Sequence, residues 1–249
     1  MAWQIIGQDA GPDGTEFVLY RFDDQYLIRA GGRELMSTRA HGSEEALARL
    51  GCETLAGVTP QVLVGGLGLG YTLRAALDCL PAEAAVTVAE LVPAIVDWNR
   101  SEVGACCGWP LQDHRVTVHT GDVIEQLSPA AFDGILLDVD NGPEALSWAG
   151  NEALYGELGT AMLFQALRPG GTLAVWSSED DEPYEDRLRR QGFAVQGLRV
   201  PARWEGDGVR HVVYLARRLQ EVAPLLVGRG KSCGGSGNGG FGERGSGHG

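Results

Sequence analysis

A short apolar run leads directly into closely spaced glycines in the segment VLVGGLGLGY, residues 62–71. Gly66, Gly68 and Gly70 are followed by TLRAALDCL, a stretch typical of a helix. Glycine lets a backbone turn sharply and approach a ligand closely, and the N-terminus of the following helix offers free N–H groups and a positive dipole. The segment therefore predicts a strand, a glycine turn and a helix that bind a nucleoside-containing cofactor through these three glycines.

Apolar runs and helical stretches alternate through the predicted catalytic domain, residues 43–219. The predicted strands are apolar at consecutive positions, which is typical of a parallel sheet covered by helices on both faces. The last two runs, FAVQGLRV and RHVVYLAR, are separated only by a loop and are expected to pair antiparallel. We therefore predict a doubly wound, Rossmann-like α/β sheet of seven strands with an antiparallel final pair. This final pair disfavours an NAD-dependent dehydrogenase.

Two shorter regions flank this domain. Residues 1–42 contain two β-rich runs broken by Asp23-Asp24, and then a Gly31-Gly32 turn before RELM, which predicts a small antiparallel sheet. Ser43 precedes two glutamates and apolar residues at helical spacing, so it is expected to cap a helix. Residues 220–249 are rich in glycine and are expected to be disordered. Because a small sheet cannot bury both of its faces alone, a homodimer is expected.

The charge and cysteine content exclude several classes of function. The chain has 33 acidic and 20 basic residues, a formal net charge of −13, which argues against a nucleic-acid partner and is compatible with a cationic small-molecule acceptor. It has no apolar run long enough to cross a membrane, and its start does not resemble a signal peptide, so a cytoplasmic protein is expected. The five cysteines have no disulfide or zinc-site spacing; we expect reduced thiols and no metal.

Two acidic residues follow strands at positions suited to a nucleoside. Glu90 ends the run TVAE, 20 residues after Gly70, the spacing at which an acidic group reaches the hydroxyls of a ribose. Asp122 follows the run RVTVHT. Its carboxylate is placed either to accept a hydrogen bond from an adenine amino group or to cap the helix that follows. We favour a role for both residues in cofactor binding.

Asp138 and Asp140 come directly after the predicted strand FDGILL. Open α/β sheets bind ligands beyond the carboxyl ends of their strands, near the reversal of strand order. Two carboxylates at this edge would attract a cationic amine, and Asp140 is our candidate for the general base that removes its proton. The alternative is an Asp-Asn-Gly turn that satisfies only its own backbone.

Residues 65–74, GGLGLGYTLR, resemble the glycine motif and following Thr-Leu-Arg of the spermidine synthase family, which is part of the class I S-adenosylmethionine-dependent methyltransferase superfamily. Glu90 and, more loosely, Asp138 and Asp140 match acidic positions of the family, and the likeness covers about residues 16–217. It implies a cofactor, S-adenosylmethionine or its decarboxylated form, with Asp138 contacting it and Asp138 and Asp140 acting in catalysis. One departure is Leu69, which stands where the family has an aspartate that helps to hold the amino end of the decarboxylated cofactor.

Three functions are compatible with these residues. Because of Leu69, the preferred interpretation is methyl transfer from S-adenosylmethionine to a small acceptor. The first alternative is aminopropyl transfer from decarboxylated S-adenosylmethionine to a diamine. The second is a protein that binds the cofactor but has lost its catalytic activity, an interpretation that Leu69 and the shortened aspartate segment after Asp138 both favour.

Overall fold

The structure is a computed structural model that describes residues 2–139, 153–203 and 208–220. It contains a four-stranded sheet formed by the N-terminal residues and a seven-stranded sheet flanked by helices. Asp140, the candidate general base, and the glycine-rich segment from residue 221 onward lie outside the described residues. The structure therefore locates all of the candidate site residues except Asp140.

The N-terminal sheet is antiparallel throughout, and its strands lie in chain order. Tight turns at Asp23, with φ of 55°, and at Gly31 and Gly32 separate the last three strands. Phe17 and Ile28 are buried against the rest of the protein, so this sheet contributes to the main core. The first strand, which is largely exposed, was not predicted from the sequence. The strands are β1 (Gln4–Ala10), β2 (Glu16–Phe22), β3 (Gln25–Ala30) and β4 (Arg33–Ser37).

The main domain alternates strands and helices as expected. Its elements are α1 (Gly42–Cys52), β5 (Gln61–Gly65), α2 (Tyr71–Cys79), β6 (Ala85–Glu90), α3 (Pro93–Arg100), β7 (Val116–Thr120), β8 (Phe132–Leu137), α4 (Glu157–Ala166), β9 (Leu167–Ser177), α5 (Glu182–Arg190), β10 (Phe193–Pro201) and β11 (Arg210–Arg218).

The seven strands lie in the order β10-β11-β9-β8-β5-β6-β7. Strands β5 to β9 are parallel, whereas β11 pairs antiparallel with both β9 and β10. In β5, Val62 and Val64 belong to the core on one face of the sheet and Leu63 to the core on the other. Burial on both faces explains the consecutive apolar residues. The predicted fold class, including the antiparallel final pair, is confirmed.

One expected helix boundary is wrong. The helix α1 begins at Gly42, its N-cap is His41, and Ser43 does not cap it. The backbone N–H of Gly42 donates to the carbonyl of Ala202, and a Cβ at this glycine would lie 3.1 Å from the Pro201 carbonyl oxygen. This close approach of two backbones accompanies a helix that begins two residues earlier than a capping Ser43 would allow, and the Ser43 hydroxyl is buried inside the protein.

Among the described helices, none is both long and apolar enough to cross a membrane. The described residues also contain no group of three or more histidine, cysteine, aspartate or glutamate side chains arranged to hold a metal ion.

Candidate functional site

The glycine loop joins β5 to α2 in a conformation that side chains disfavour. Gly66, Gly68 and Gly70 have φ of 86°, 50° and 88°. A Cβ at Gly66 would lie 2.2 Å from the carbonyl oxygen of Asp138, and one at Gly70 would lie 2.9 Å from Sγ of Cys107. The loop therefore needs glycine for its own packing. Gly66 and Gly68 line a cavity at the carboxyl edge of the sheet, but Gly70 does not.

Glu90, at the end of β6, holds this loop in place. Its Oε2 accepts a hydrogen bond of 2.9 Å from the backbone N–H of Leu67, and its Oε1 accepts one of 2.8 Å from that of Val92. The side chain is buried, and burial raises the pKa of Glu90 although these N–H groups favour its charged form. A carboxylate has about four lone-pair positions, so Glu90 can accept further hydrogen bonds from hydroxyls in the cavity that it lines.

Asp122 follows β7 and lines the same cavity. It is the N-cap of a short 3-10 helix, Val123–Gln126, and its Oδ1 accepts a hydrogen bond of 2.9 Å from the backbone N–H of Ile124. The capping alternative is thus confirmed. A contact with an adenine amino group is compatible with capping, because the carboxylate has a second oxygen, and it stays a prediction.

The N-terminal sheet closes the cavity from the opposite side. Met36 in β4 accepts a hydrogen bond of 3.1 Å at its Sδ from the backbone N–H of Leu69. A Cβ at Gly68 would lie only 2.7 Å from the same sulfur, so Met36 packs directly on the glycine loop. The Leu69 side chain is fully buried in the core and is not part of the cavity wall. Phe17, Ala30 and Leu35 complete this side of the wall.

Asp138 and Glu44 bring two carboxyl groups to the cavity, a half-buried one from the end of β8 and a buried one from the first turn of α1. Thr72 Oγ1 donates to Asp138 Oδ2 at 2.6 Å. Burial raises the pKa of Asp138 to about 6. Burial and the nearby Asp138 charge raise the pKa of Glu44 to about 8. Within the described part of the chain, neither carboxyl forms an ion pair with a basic side chain.

Glu44 is also joined to a histidine. The fully buried Ser43 donates from Oγ to Glu44 Oε2 at 2.6 Å, and the same Oγ lies 2.9 Å from Nδ1 of His211 in β11. The His211 ring packs edge-on against Trp176, with ring centroids 4.7 Å apart, and Trp176 lines the cavity. Burial lowers the pKa of His211, which favours the neutral imidazole.

The cavity thus gathers most of the residues expected from the sequence. Gly66, Gly68, Glu90, Asp122 and Asp138 line one space of about 140 Å³, many times the volume of about 15 Å³ that a single water needs. All four ionisable groups among the described lining residues are carboxyls, namely those of Glu44, Glu90, Asp122 and Asp138. The rest of the described wall consists of apolar side chains and backbone.

Sequence reasoning missed Glu44 and Met36 as site residues. Glu44 looked like an ordinary acidic residue in the first turn of a helix. One signal was available in hindsight: Glu44 lies in the first turn of a helix whose following apolar residues must pack on the sheet. Nothing in the local sequence marks Met36.

Comparison with solved structures identifies the fold. Neither a protein-family model nor a curated protein matches the sequence. Spermidine synthase from Thermotoga maritima matches over 86% of this chain and 73% of its own, with 17% identity and a TM-score of 0.68. A spermidine synthase bound to the transition-state analogue AdoDATO matches over 86% and 74%, with 16% identity and a TM-score of 0.70. A probable spermidine synthase from Corynebacterium glutamicum matches over 86% and 80%, with 17% identity and a TM-score of 0.60. The resemblance to spermidine synthases is confirmed at the level of the fold.

Proposed function

We propose that this chain is an aminopropyltransferase that binds decarboxylated S-adenosylmethionine and transfers its aminopropyl group to an amine. The observation that carries the proposal is the charge of the cavity wall, in which Glu44, Glu90, Asp122 and Asp138 are accompanied by no basic side chain among the described residues. Such a wall favours ligands that carry only positive charge. The fold shared with a spermidine synthase that binds AdoDATO supports the same choice.

The acidic wall distinguishes the two possible cofactors. Decarboxylated S-adenosylmethionine carries a sulfonium and an ammonium group, whereas S-adenosylmethionine also carries a carboxylate. Moving a carboxylate into a low-dielectric cavity without a cation or an array of hydrogen-bond donors is costly, and two nearby carboxyls increase that cost. The methyl transfer preferred from the sequence is therefore the weaker alternative, and the comparisons do not support it.

The position of Leu69 was the main argument against aminopropyl transfer, and Glu44 answers it. Leu69 is fully buried and is not among the residues that line the cavity, so an acidic group is not expected at that position. Glu44 instead offers a carboxyl to the cavity from α1. In this chain, Glu44 and Asp138 would hold the ammonium groups of the reactants, and a bound cation would favour ionisation of both carboxyls.

The other residues have roles in binding the nucleoside. The backbone at Gly66 and Gly68 allows close approach to the cofactor, Glu90 accepts hydrogen bonds from the ribose hydroxyls, and Asp122 accepts one from the adenine amino group. Asp140 stays a predicted catalytic residue. During transfer, the amine nitrogen loses one proton and bonds to the aminopropyl carbon. The carbon–sulfur bond breaks, and its electron pair stays on sulfur to give a neutral thioether.

The experiment is an incubation of the purified protein with each cofactor and a panel of primary amines, with products measured by mass spectrometry. We expect 5′-methylthioadenosine and an amine longer by one aminopropyl group, formed only from the decarboxylated cofactor. Asp138→Asn should lower the rate at least 100-fold, whereas Asp97→Asn, at a position whose side chain is 74% exposed, should not. Formation of S-adenosylhomocysteine, or an unchanged rate in Asp138→Asn, would contradict the proposal.

The homodimer expected from the sequence stays a prediction. Strand β1 lies at one edge of the N-terminal sheet, and Trp3, Ile5 and Ile6 in or next to it are more than a third exposed. Exposed apolar edge strands are unfavourable in a monomer. Analytical ultracentrifugation of the wild type and of Ile5→Lys measures the oligomeric state and whether β1 contributes to it.

A further inference from the structure

The hydrogen bonds around Ser43 form a continuous chain from the cavity to a partly exposed histidine. Glu44 lines the cavity, Ser43 contacts Glu44 Oε2 at 2.6 Å and His211 Nδ1 at 2.9 Å, and His211 is partly exposed at the start of β11. Ser43 itself has no solvent exposure. A fully buried hydroxyl between a carboxyl and an imidazole can donate to one partner while it accepts from the other.

We propose that Glu44, Ser43 and His211 form a proton relay that removes the proton released by the acceptor amine, with Glu44 as the group that receives it. This inference rests on the proposed function and adds to it. Glu44 is the catalytic group, since it faces the cavity, and His211 acts through Ser43. The sequence candidate for the base, Asp140, is not needed for this path.

The direction of the hydrogen bonds follows the position of the proton. When Glu44 is ionised, it accepts from the Ser43 hydroxyl, and His211 is the neutral tautomer that carries its proton on Nε2 and leaves Nδ1 free to accept. When Glu44 has taken a proton from the amine, that proton moves to Ser43 Oγ as the serine proton moves to Nδ1. His211 then releases a proton from Nε2 to water. One proton leaves the ammonium and one enters the solvent, so the reaction is balanced.

The groups around the relay favour uptake of the proton by Glu44 and its release to water from His211. Burial raises the pKa of Glu44, and the nearby negative charges of Asp138 and, along its own helix, Glu45 raise it further, which increases its affinity for a proton. The Thr72 hydroxyl contacts Asp138 rather than the Glu44 carboxyl. On the other side, burial against Trp176 keeps His211 neutral before the proton arrives. A neutral imidazole is the form that can accept it.

The first test measures turnover in His211→Gln, with His114→Gln as the control because the His114 side chain is 81% exposed. We expect kcat for His211→Gln to fall about 100-fold, with little change in KM for the amine and partial recovery on addition of imidazole. Ser43→Ala should show the same loss of kcat without recovery. A rise in KM at unchanged kcat, or unchanged kinetics in both variants, would overturn the relay.

The second test requires no turnover and separates the relay from the proposed function. NMR titration of the His211 ring protons is compared between the wild type, Glu44→Gln and Ser43→Ala. The relay predicts that the His211 titration differs from that of the wild type both in Glu44→Gln and in Ser43→Ala. Identical His211 titrations in all three proteins would overturn the relay. If the wild type forms no thioether with any amine, the proposed function fails, and this titration still decides whether the two groups exchange a proton.

Discussion

Replacing Glu44 with glutamine should make the protein more stable at high pH. Glu44 is 6% exposed, and burial together with the Asp138 charge raises its pKa from an ordinary value of 4.5 to about 8. The folded protein therefore binds the Glu44 proton more tightly than the unfolded chain does. Between pH 4.5 and 8 the folded state retains a proton that the unfolded state has lost, so stability falls as pH rises through this window.

The magnitude follows from the width of this window. Each pH unit corresponds to about 1.4 kcal/mol, so ionising Glu44 costs up to about 5 kcal/mol at pH 8. Part of that cost arises from repulsion between Glu44 and Asp138, and it belongs to the pair rather than to Glu44 alone. We expect Glu44→Gln to raise the free energy of unfolding at pH 8.5 by about 3 kcal/mol. For a chain of this size that corresponds to a Tm higher by about 10 °C.

The assay is thermal unfolding of the ligand-free protein from pH 4.5 to 9. Glu44→Gln and wild type should have similar Tm values at pH 4.5 and diverge as pH rises. Glu83→Gln, at an exposed position before β6, is the control and should follow the wild type at every pH. The reasoning is refuted if the difference in Tm between Glu44→Gln and wild type is independent of pH, because the carboxyl would then carry no buried charge.

Three further substitutions test the site. Gly66→Ala should lower the free energy of unfolding by about 3 kcal/mol in urea titrations, because its positive φ is strained and its Cβ would meet a backbone carbonyl at 2.2 Å. The control is Gly14→Ala, where φ is nearly the same but the added Cβ would have no atom within 4 Å, and it should lower the free energy of unfolding by only about 1 kcal/mol. Equal losses in the two variants would show that the contact at Gly66 is unimportant. Glu90→Gln should weaken binding of 5′-methylthioadenosine at least 10-fold by calorimetry. One of the two carboxylate oxygens becomes an NH₂ group, which cannot accept a hydrogen bond, so either the Leu67 or the Val92 backbone N–H loses its partner. Leu69→Asp, which restores the family's residue, should lower Tm sharply rather than improve activity, because position 69 is fully buried; a stable and more active variant would show that it faces the cavity.

The fold could be predicted from the sequence because its signals are local and repeated. Consecutive apolar residues such as Val62, Leu63 and Val64 occur only where both faces of a strand are covered, and this pattern recurs in each central strand. The loop at Gly66 combines a strand, a tight turn and a helix in one short segment. The exposed strand β1 has no such pattern, since neither of its faces is buried, and it was therefore missed.

The candidate site could be predicted only where it lies at strand ends. Glu90, Asp122 and Asp138 each follow a parallel strand, and such ends meet at one edge of the sheet. Glu44 and His211 could not be found in this way, because contacts between residues 168 positions apart, such as Ser43 with His211, depend on tertiary packing. The wrong prediction for the start of α1 also concealed this contact. A Ser43 that capped the helix would use its hydroxyl for the backbone and could not bond to His211.

The contact between Met36 and the glycine loop means that the small N-terminal sheet is not an independent module. Four of the side chains that enclose the cavity come from this sheet: Phe17, Ala30, Leu35 and Met36. A truncated protein that begins at α1 would keep every strand of the larger sheet yet leave the cavity open on the side that these four residues cover. Attempts to obtain a smaller fragment, or to exchange the first forty residues with those of another protein, would therefore change the wall of the cavity as well as the core.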